Sequence, residues 1–304
     1  MKQADWSPRK SLFVLIGSVA STLLVALPAF ALYSQFRKHR LVDPAYQITA
    51  IIQTGPEKEA LKTDCLSELL GLSADRPTPL YAFDCAKGEK RLLACPLIKE
   101  AHIRPAPPNG LYIDYTVRKP IARLADYANT AIDAEGYLFP LSPFFSPKQL
   151  PEIYLGLPPF NAPPDRQGRA GGAWNEPLDN KFLRLALEIL LSVREAPWRQ
   201  NLQIVRIDVS NAFLPSLGGR EVILSTEEEV TLQTASGPAR CHFPKLLRLA
   251  PNAYQVQMAH FFSLQKTMLQ DYEAQLSKAA PPHTRFAPRI IDLRIPYLAF
   301  VENK

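Results

Sequence analysis

The chain has 304 residues, 47% hydrophobic and 21% charged, which suits folded globular material and excludes a disordered chain. The net charge is +6, part of it flanks an apolar N-terminal segment, and no basic stripe with interleaved aromatics follows, so nucleic acid is excluded as the expected partner. Twenty-nine prolines against 13 glycines predict short elements joined by stiff connections.

Ser11 to Tyr33 carries no charge over about 23 residues, enough to cross a bilayer as a helix. Lys2, Arg9 and Lys10 precede it, and Arg37, Lys38 and Arg40 follow. The expected arrangement is a cytoplasmic tail (1–10), a single transmembrane anchor (11–33), a linker (34–45) and a large region outside the cytoplasm. The competing reading is a cleaved signal peptide, for which Ala29-Phe30-Ala31 is a small-x-small cleavage site.

Tyr46 to Thr54 predicts a strand with Ile48, Ala50 and Ile52 on one face. Pro56 to Leu70 predicts a helix with a stripe of Leu61, Cys65, Leu66, Leu69 and Leu70, stopped by Gly71. Asp84 is the expected N-cap of a second helix that ends before Pro96. Two strands follow, Leu97 to Arg104 and Leu111 to Val117, around the turn "PAPPNG". The order strand-helix-helix-strand-strand predicts two helices on one face of a three-stranded sheet.

From Ala122 the pattern turns to strands. "AIDAEGYLFPL" reads as a hairpin turning at Glu135-Gly136. Pro140 to Pro177 is dense in proline and glycine and reads as a long surface connection, mobile near Gly168 to Gly172. Leu178 to Ala196 predicts an amphipathic helix with Phe182, Leu185, Ala186, Ile189, Leu190 and Val193 inward. Strands are expected at 202–209, 220–226 and 229–234. A helix is expected at 252–277, with a stripe of Tyr254, Met258, Phe261, Phe262, Met268, Leu269, Tyr272 and Leu276. "RIIDLRIPYLAFVE" closes the pattern as one or two strands. The fold class expected is α+β, a small domain at 46–117 and a β-rich domain with an antiparallel sheet at 118–304.

The candidate chemistry is thin. Asp133-x-Glu135-Gly136 holds two carboxylates, but a hairpin turn accounts for all three residues and nothing supplies the cleft that a glycosidase needs. Cys241 and His242 are adjacent, so in a strand they point to opposite faces. "GRAGG" lacks the Lys-Ser/Thr of a phosphate loop, and the five histidines show no ligand spacing. No enzyme activity, metal or cofactor is expected. Cys65, Cys85, Cys95 and Cys241 form no C-x-x-C pair; an even count permits disulfides on an exported chain, buried free thiols fit as well, and spacing alone does not decide.

Four stretches in order carry a resemblance: "PLIKEAHIRPAPPNGLYIDYTVRKPIA" (96–122), "AIDAEGYLF" (131–139), "LPEIYLG" (150–156) and "IIDLR" (290–294). Their alternation, Arg-x-Pro-x-Ala, apolar-Asp-x-x-Gly and apolar-Asp-Leu-Arg patterns resemble those of the FtsQ/DivIB family of bacterial cell-division proteins. The resemblance implies a POTRA domain at 46–117, an FtsQ-type β domain at 118–304 and an inner-membrane, septal location. It implies a non-catalytic scaffold that binds FtsB-type and FtsL-type bitopic proteins and, through them, the septal peptidoglycan synthase. It places partner binding by strand addition on Asp292, Arg294, Ile295, Tyr297, Leu298 and Phe300. Arg118, Pro120, Asp133 and Gly136 then read as an interdomain joint, at solvated strand ends. The family usually has Glu where Val117 stands, and Pro296 interrupts the family's terminal pattern, which argues for an edge or bulge there. The alternative is a POTRA-bearing module of envelope secretion or outer-membrane assembly.

Overall fold

The computed structural model describes residues 8–55, 59–146, 148–195, 202–234, 237–276 and 283–303. The protein is α+β, with one N-terminal apolar helix and two mixed sheets. It divides into two compact units, Met1–Val117 and Arg118–Lys304.

The first unit opens on α1 (Pro8–Val42). Among the described residues it is the one helix long and apolar enough to cross a membrane, with a mean hydropathy of 2.1 and none of its span buried. It runs on past Tyr33 to Val42, so most of the expected linker is helical. Asp43 then accepts the Ala45 N–H and starts a single 3-10 turn at Pro44–Tyr46. That turn takes Tyr46, the first residue of the expected strand, and β1 spans only Ala50–Thr54.

β1 is followed by α2 (Thr63–Leu70), α3 (Cys85–Leu93), β2 (Ile98–Ala106) and β3 (Gly110–Val117). The sheet order is β1-β3-β2, with β1 parallel and β2 antiparallel to β3. Helix α2 is shorter than expected and begins at Thr63; the expected start at Pro56 lies outside the described residues. Gly71 ends it at φ 69°, where a left-handed backbone favours glycine. Asp84 caps α3 by accepting the Lys87 N–H. Leu66, Leu70 and Leu92 from the helices meet Ala101, Ile103, Leu111, Ile113 and Tyr115 from the strands, all buried.

The second unit carries β4 (Ala122–Leu124), β5 (Thr130–Ile132), β6 (Leu138–Pro140), β7 (Glu152–Tyr154), α4 (Lys181–Glu195), β8 (Leu202–Asp208), β9 (Val222–Thr234), β10 (Gly237–Leu249), α5 (Tyr254–Leu276), β11 (His283–Arg285), β12 (Arg289–Asp292) and β13 (Phe300–Asn303). Its strands make one ten-stranded sheet among the described residues, in the order β13-β12-β10-β9-β8-β7-β4-β5-β6, with β11 beside β10. The sheet is mixed rather than antiparallel. α4 carries the chain from β7 to its parallel neighbour β8, and α5 carries it from β10 to the parallel β11 and β12.

The predicted stripe of α4 is buried along its length, from Phe182 to Val193. On α5, Tyr254, Met258, Phe261 and Met268 are buried; the side chains of Tyr272 and Leu276 lie outside the described residues, as does Ala196 beyond α4. The core faces of β9 and β10 alternate as period-2 strands require, with Val222 and Leu224 against Phe243, Leu247 and Leu249.

The 140–177 stretch departs from expectation. It contains β7, which is an interior strand paired parallel to both β4 and β8. Nor is the glycine-rich run loose. Tyr127 Oη accepts the Gly172 N–H at 2.8 Å and donates to the Pro158 carbonyl at 2.7 Å. The Asp126 carboxylate accepts the N–H groups of Leu155 and Leu157. Burial pushes the Asp126 carboxyl above its usual range, against the pull of those backbone donors. A Cβ at Gly171 would lie 2.2 Å from the Pro159 carbonyl oxygen, so this close backbone crossing requires glycine.

Three further strands differ from expectation. The strands expected at 220–226 and 229–234 are one strand, β9, which begins at Val222; Glu228 in the intervening acidic run is buried against Lys245 of β10. β10 and β11 were not expected as strands, and β10 runs through Pro244, which has no N–H to give to a ladder. The carbonyls of His242 and Arg248 accept from Phe286 and Leu293, so by alternation position 244 faces the same side. There it meets the break between β11 and β12, where no ladder bond is lost.

Candidate functional site

The sheet of the second unit has two edges, and they are built differently. At one end, β6 is covered: Tyr137 bridges Pro177 and Leu138 bridges Trp174. At the other end lies β13, paired antiparallel to β12 through Asp292↔Phe300, Ile291↔Val301, Ile290↔Glu302 and Arg289↔Asn303. Its outer side has no strand among the described residues.

The direction of the free backbone groups follows from the ladder. The Leu293 N–H donates to the Arg248 carbonyl, so odd-numbered residues of β12 face β10. Even-numbered ones face β13, which makes Ile290↔Glu302 and Asp292↔Phe300 the hydrogen-bonded pairs. The N–H and C=O of Val301 therefore point outward. An edge of this kind is a template for another strand, and edges that must stay unpaired commonly carry Lys or Pro. Phe300-Val301-Glu302 has neither.

A turn connects β12 to β13. The Leu298 N–H donates to the Ile295 carbonyl at 3.2 Å, with Pro296 and Tyr297 between. Proline fits the second position of a type II turn, and the third demands positive φ. Tyr297 adopts φ 62° there. A bulky residue in that region carries strain of order 1–3 kcal/mol. Pro296 thus lies in the turn rather than in a ladder, so neither the edge nor the bulge expected from it is needed. Tyr297 is 91% exposed, and Ile295, Leu298, Phe300 and Val301 are each about half exposed. They do not share one face: Ile295 borders a cavity with Ala212 and Phe213, Tyr297 and Leu298 turn toward α5, and Phe300 and Val301, adjacent in a strand, point to opposite sides. A groove of about 290 Å³ runs between His260, Ser263 and Leu264 of α5 and Leu293, Tyr297, Leu298 and Ala299.

The two charged residues expected on this surface are held differently. Arg294 pairs with Asp292 at 2.8 Å, reaches Glu221 at 3.5 Å and donates to the Gly218 carbonyl. Arg248 pairs with Glu221 at 2.6 Å and with Asp292 at 3.3 Å. This four-member network pins the terminal hairpin to β9 and β10. Burial opposes ionisation of Asp292, but hydrogen bonds and charge from Arg294, then charge from Arg248, outweigh it and hold its carboxyl below the usual range. Bonding to Asp292 correspondingly raises the Arg294 guanidinium. Asp292 and Arg294 therefore position the apolar residues. Glu221 and Arg248 were missed, since they lie about 40 to 70 positions upstream of Arg294 and no local pattern links them.

The residues expected at a joint lie apart from this edge. Arg118 and Asp133 are not solvated: they are 8% and 6% exposed and pair at 2.9 Å. The Arg118 guanidinium also stacks 3.7 Å over the Tyr137 ring. Asp133 accepts the N–H groups of Glu135 and Tyr137 and so closes the β5–β6 hairpin. Gly136 takes φ 88° in that turn, and Pro120 is half-buried ahead of β4. Both carboxylates of the Asp133-x-Glu135 pair thus have turn roles or lie beside Arg118. Among the described residues, no three His, Cys, Asp or Glu side chains converge as metal ligands.

No family model and no curated protein matches the chain.

Proposed function

We propose that the chain is a membrane-anchored, non-catalytic scaffold of bacterial cell division, of the FtsQ/DivIB type. The N-terminal helix anchors it in the inner membrane, and both units lie outside the cytoplasm. The β-α-α-β-β unit is a POTRA domain, and the second unit binds an FtsB-type partner. Through that partner and an FtsL-type protein it recruits septal peptidoglycan synthesis. The observation that carries this reading is the open edge of β13: a short strand with outward backbone groups, bordered by five exposed apolar side chains, at the end of the sheet where the terminal motif lies. The partner would add one strand to β13 and cover Tyr297, Leu298 and Phe300.

Val301→Pro tests this directly. The substitution deletes an outward N–H and leaves every bond between β12 and β13 in place. Affinity for the FtsB-type partner is expected to fall at least about tenfold, while the melting transition of the protein is unchanged. Unchanged affinity would refute strand addition at this edge. A fluorescent fusion to the N-terminus is expected to concentrate at the septum of dividing cells; a uniform membrane signal throughout the cycle would overturn the division role.

A further inference from the structure

Three of the four cysteines lie in the first unit, and the fold brings two of them to one end of it. Cys65 sits in the first turn of α2, and Cys95 follows the last residue of α3 by two positions. The helices pack together, with Arg91 of α3 donating to the Leu70 carbonyl of α2 at 2.6 Å. The sheet beneath gives a second measure of position. Tyr115 of β3 accepts the Leu61 N–H, four residues before Cys65, on its hydroxyl at 2.8 Å; burial raises that hydroxyl, and the charge of Cys65 adds to it. Cys95 lies three residues before Ile98, which pairs with Val117, two residues along β3 from Tyr115. Both residues therefore lie at the same end of the three-stranded sheet, where β1 leaves it and β2 enters it. The other two thiols are elsewhere: Cys85 opens α3 at its far end, and Cys241 is buried in the second unit.

We propose that Cys65 and Cys95 are a disulfide-forming pair that staples α2 to the end of α3. All four cysteines are free thiols in this structure, and both members of the pair are half-buried. Burial raises both thiols. For Cys95 the N–H groups of Leu97 and Ile98 pull the other way, whereas the Cys95 charge raises Cys65 further. Two backbone N–H groups directed at its sulfur make Cys95 the attacking thiol of the proposed exchange. Its thiolate attacks a disulfide donor and expels one donor thiolate, leaving a mixed disulfide. The Cys65 thiolate then attacks the Cys95 sulfur and expels the second. The protein loses two protons and two electrons, and the donor is reduced to two thiols. Thiols raised by burial are slow nucleophiles, which fits a structural staple rather than a rapid redox sensor. In the cell the staple rests on the export proposed above, because a cytosolic chain would be kept reduced.

The test uses the purified full-length chain in detergent, treated with oxidised glutathione and digested under thiol-blocking conditions. The expected product is a peptide linking Cys65 to Cys95, lost in Cys65→Ser and in Cys95→Ser but retained in Cys85→Ser. The oxidised protein is also expected to melt higher than the reduced one. If no such peptide forms, or the linkage uses Cys85 or Cys241, the proposal is overturned, because the two Cα atoms then lie outside the roughly 4.4–6.8 Å that a disulfide spans. Blocking thiols in intact cells separates the two ideas. A bond that forms in the purified protein but is missing in cells would sustain the pair and refute export.

Discussion

The Glu228–Lys245 pair offers the sharpest test of how the second unit is held together. Both side chains are 1% exposed, between the sheet and α5. Gln265 of α5 donates to the second oxygen of Glu228, and the ammonium lies 5.3 Å from the ring of Phe261 and 5.9 Å from that of Phe243. Lys245→Met keeps the length and much of the volume of the side chain but strips Glu228 of its counter-charge. Removing one partner of a buried pair costs about 3–5 kcal/mol. Gln265 still donates one hydrogen bond, which places the loss at the lower end, about 3 kcal/mol. Against a total of about 5–15 kcal/mol for a domain, that is a large share. Adding Glu228→Leu removes the orphaned carboxylate and leaves only the half-buried Gln265 amide, which reaches water. The double variant is expected to recover to within about 2 kcal/mol of wild type. Urea unfolding of the full-length protein in detergent, followed by tryptophan fluorescence, gives the three values for a double-mutant cycle. A Lys245→Met protein within about 1 kcal/mol of wild type, or a double variant worse than the single, would refute the reasoning.

Three further outcomes are expected. Tyr297→Gly relieves the left-handed strain and should raise stability by about 0.5–1 kcal/mol in the same unfolding assay, yet weaken partner binding by removing the exposed ring. Asp292 has a folded-state pKa below its unfolded value, so its contribution is complete above about pH 4 and is lost as pH falls through the lower folded value. Proteolysis of the terminal hairpin should therefore quicken only at acid pH, and Asp292→Asn should be fast at every pH; a flat wild-type profile would contradict this. Tyr127→Phe removes both hydrogen bonds that hold the 158–172 stretch and should cost about 1–3 kcal/mol, read as faster amide exchange at Gly172.

Much of this architecture was legible because local pattern and burial agree. The α4 stripe from Phe182 to Val193 and the alternation of Leu111, Ile113, Tyr115 and Val117 come from single periodicities, and each is buried as those periods require. Where partners are distant, the pattern misled. The acidic run Glu227 to Glu229 reads as a break until Lys245 neutralises its middle member. Glu152 to Tyr154 is too short to stand out among prolines, yet parallel neighbours on both sides make it an interior strand. At the candidate site, Ile295, Tyr297, Leu298 and Phe300 are named only through the family resemblance, and Val301 is not singled out. The Arg248–Glu221–Asp292–Arg294 network could not be found from local sequence, because β10, β12 and the residues flanking β9 and β12 contribute to it from distant parts of the sequence.

The two crossovers have a bearing on when the docking edge exists at all. β12 lies beside β10 across the α5 crossover, and β13 reaches the sheet only through its pairing with β12. Everything that builds the edge lies downstream of α5, while the strand it is built on lies upstream. A chain arrested before that helix docks presents β10 in place of β13, with a different register and without the Tyr297 turn. The edge proposed above for strand addition therefore exists only once β12 has seated on β10.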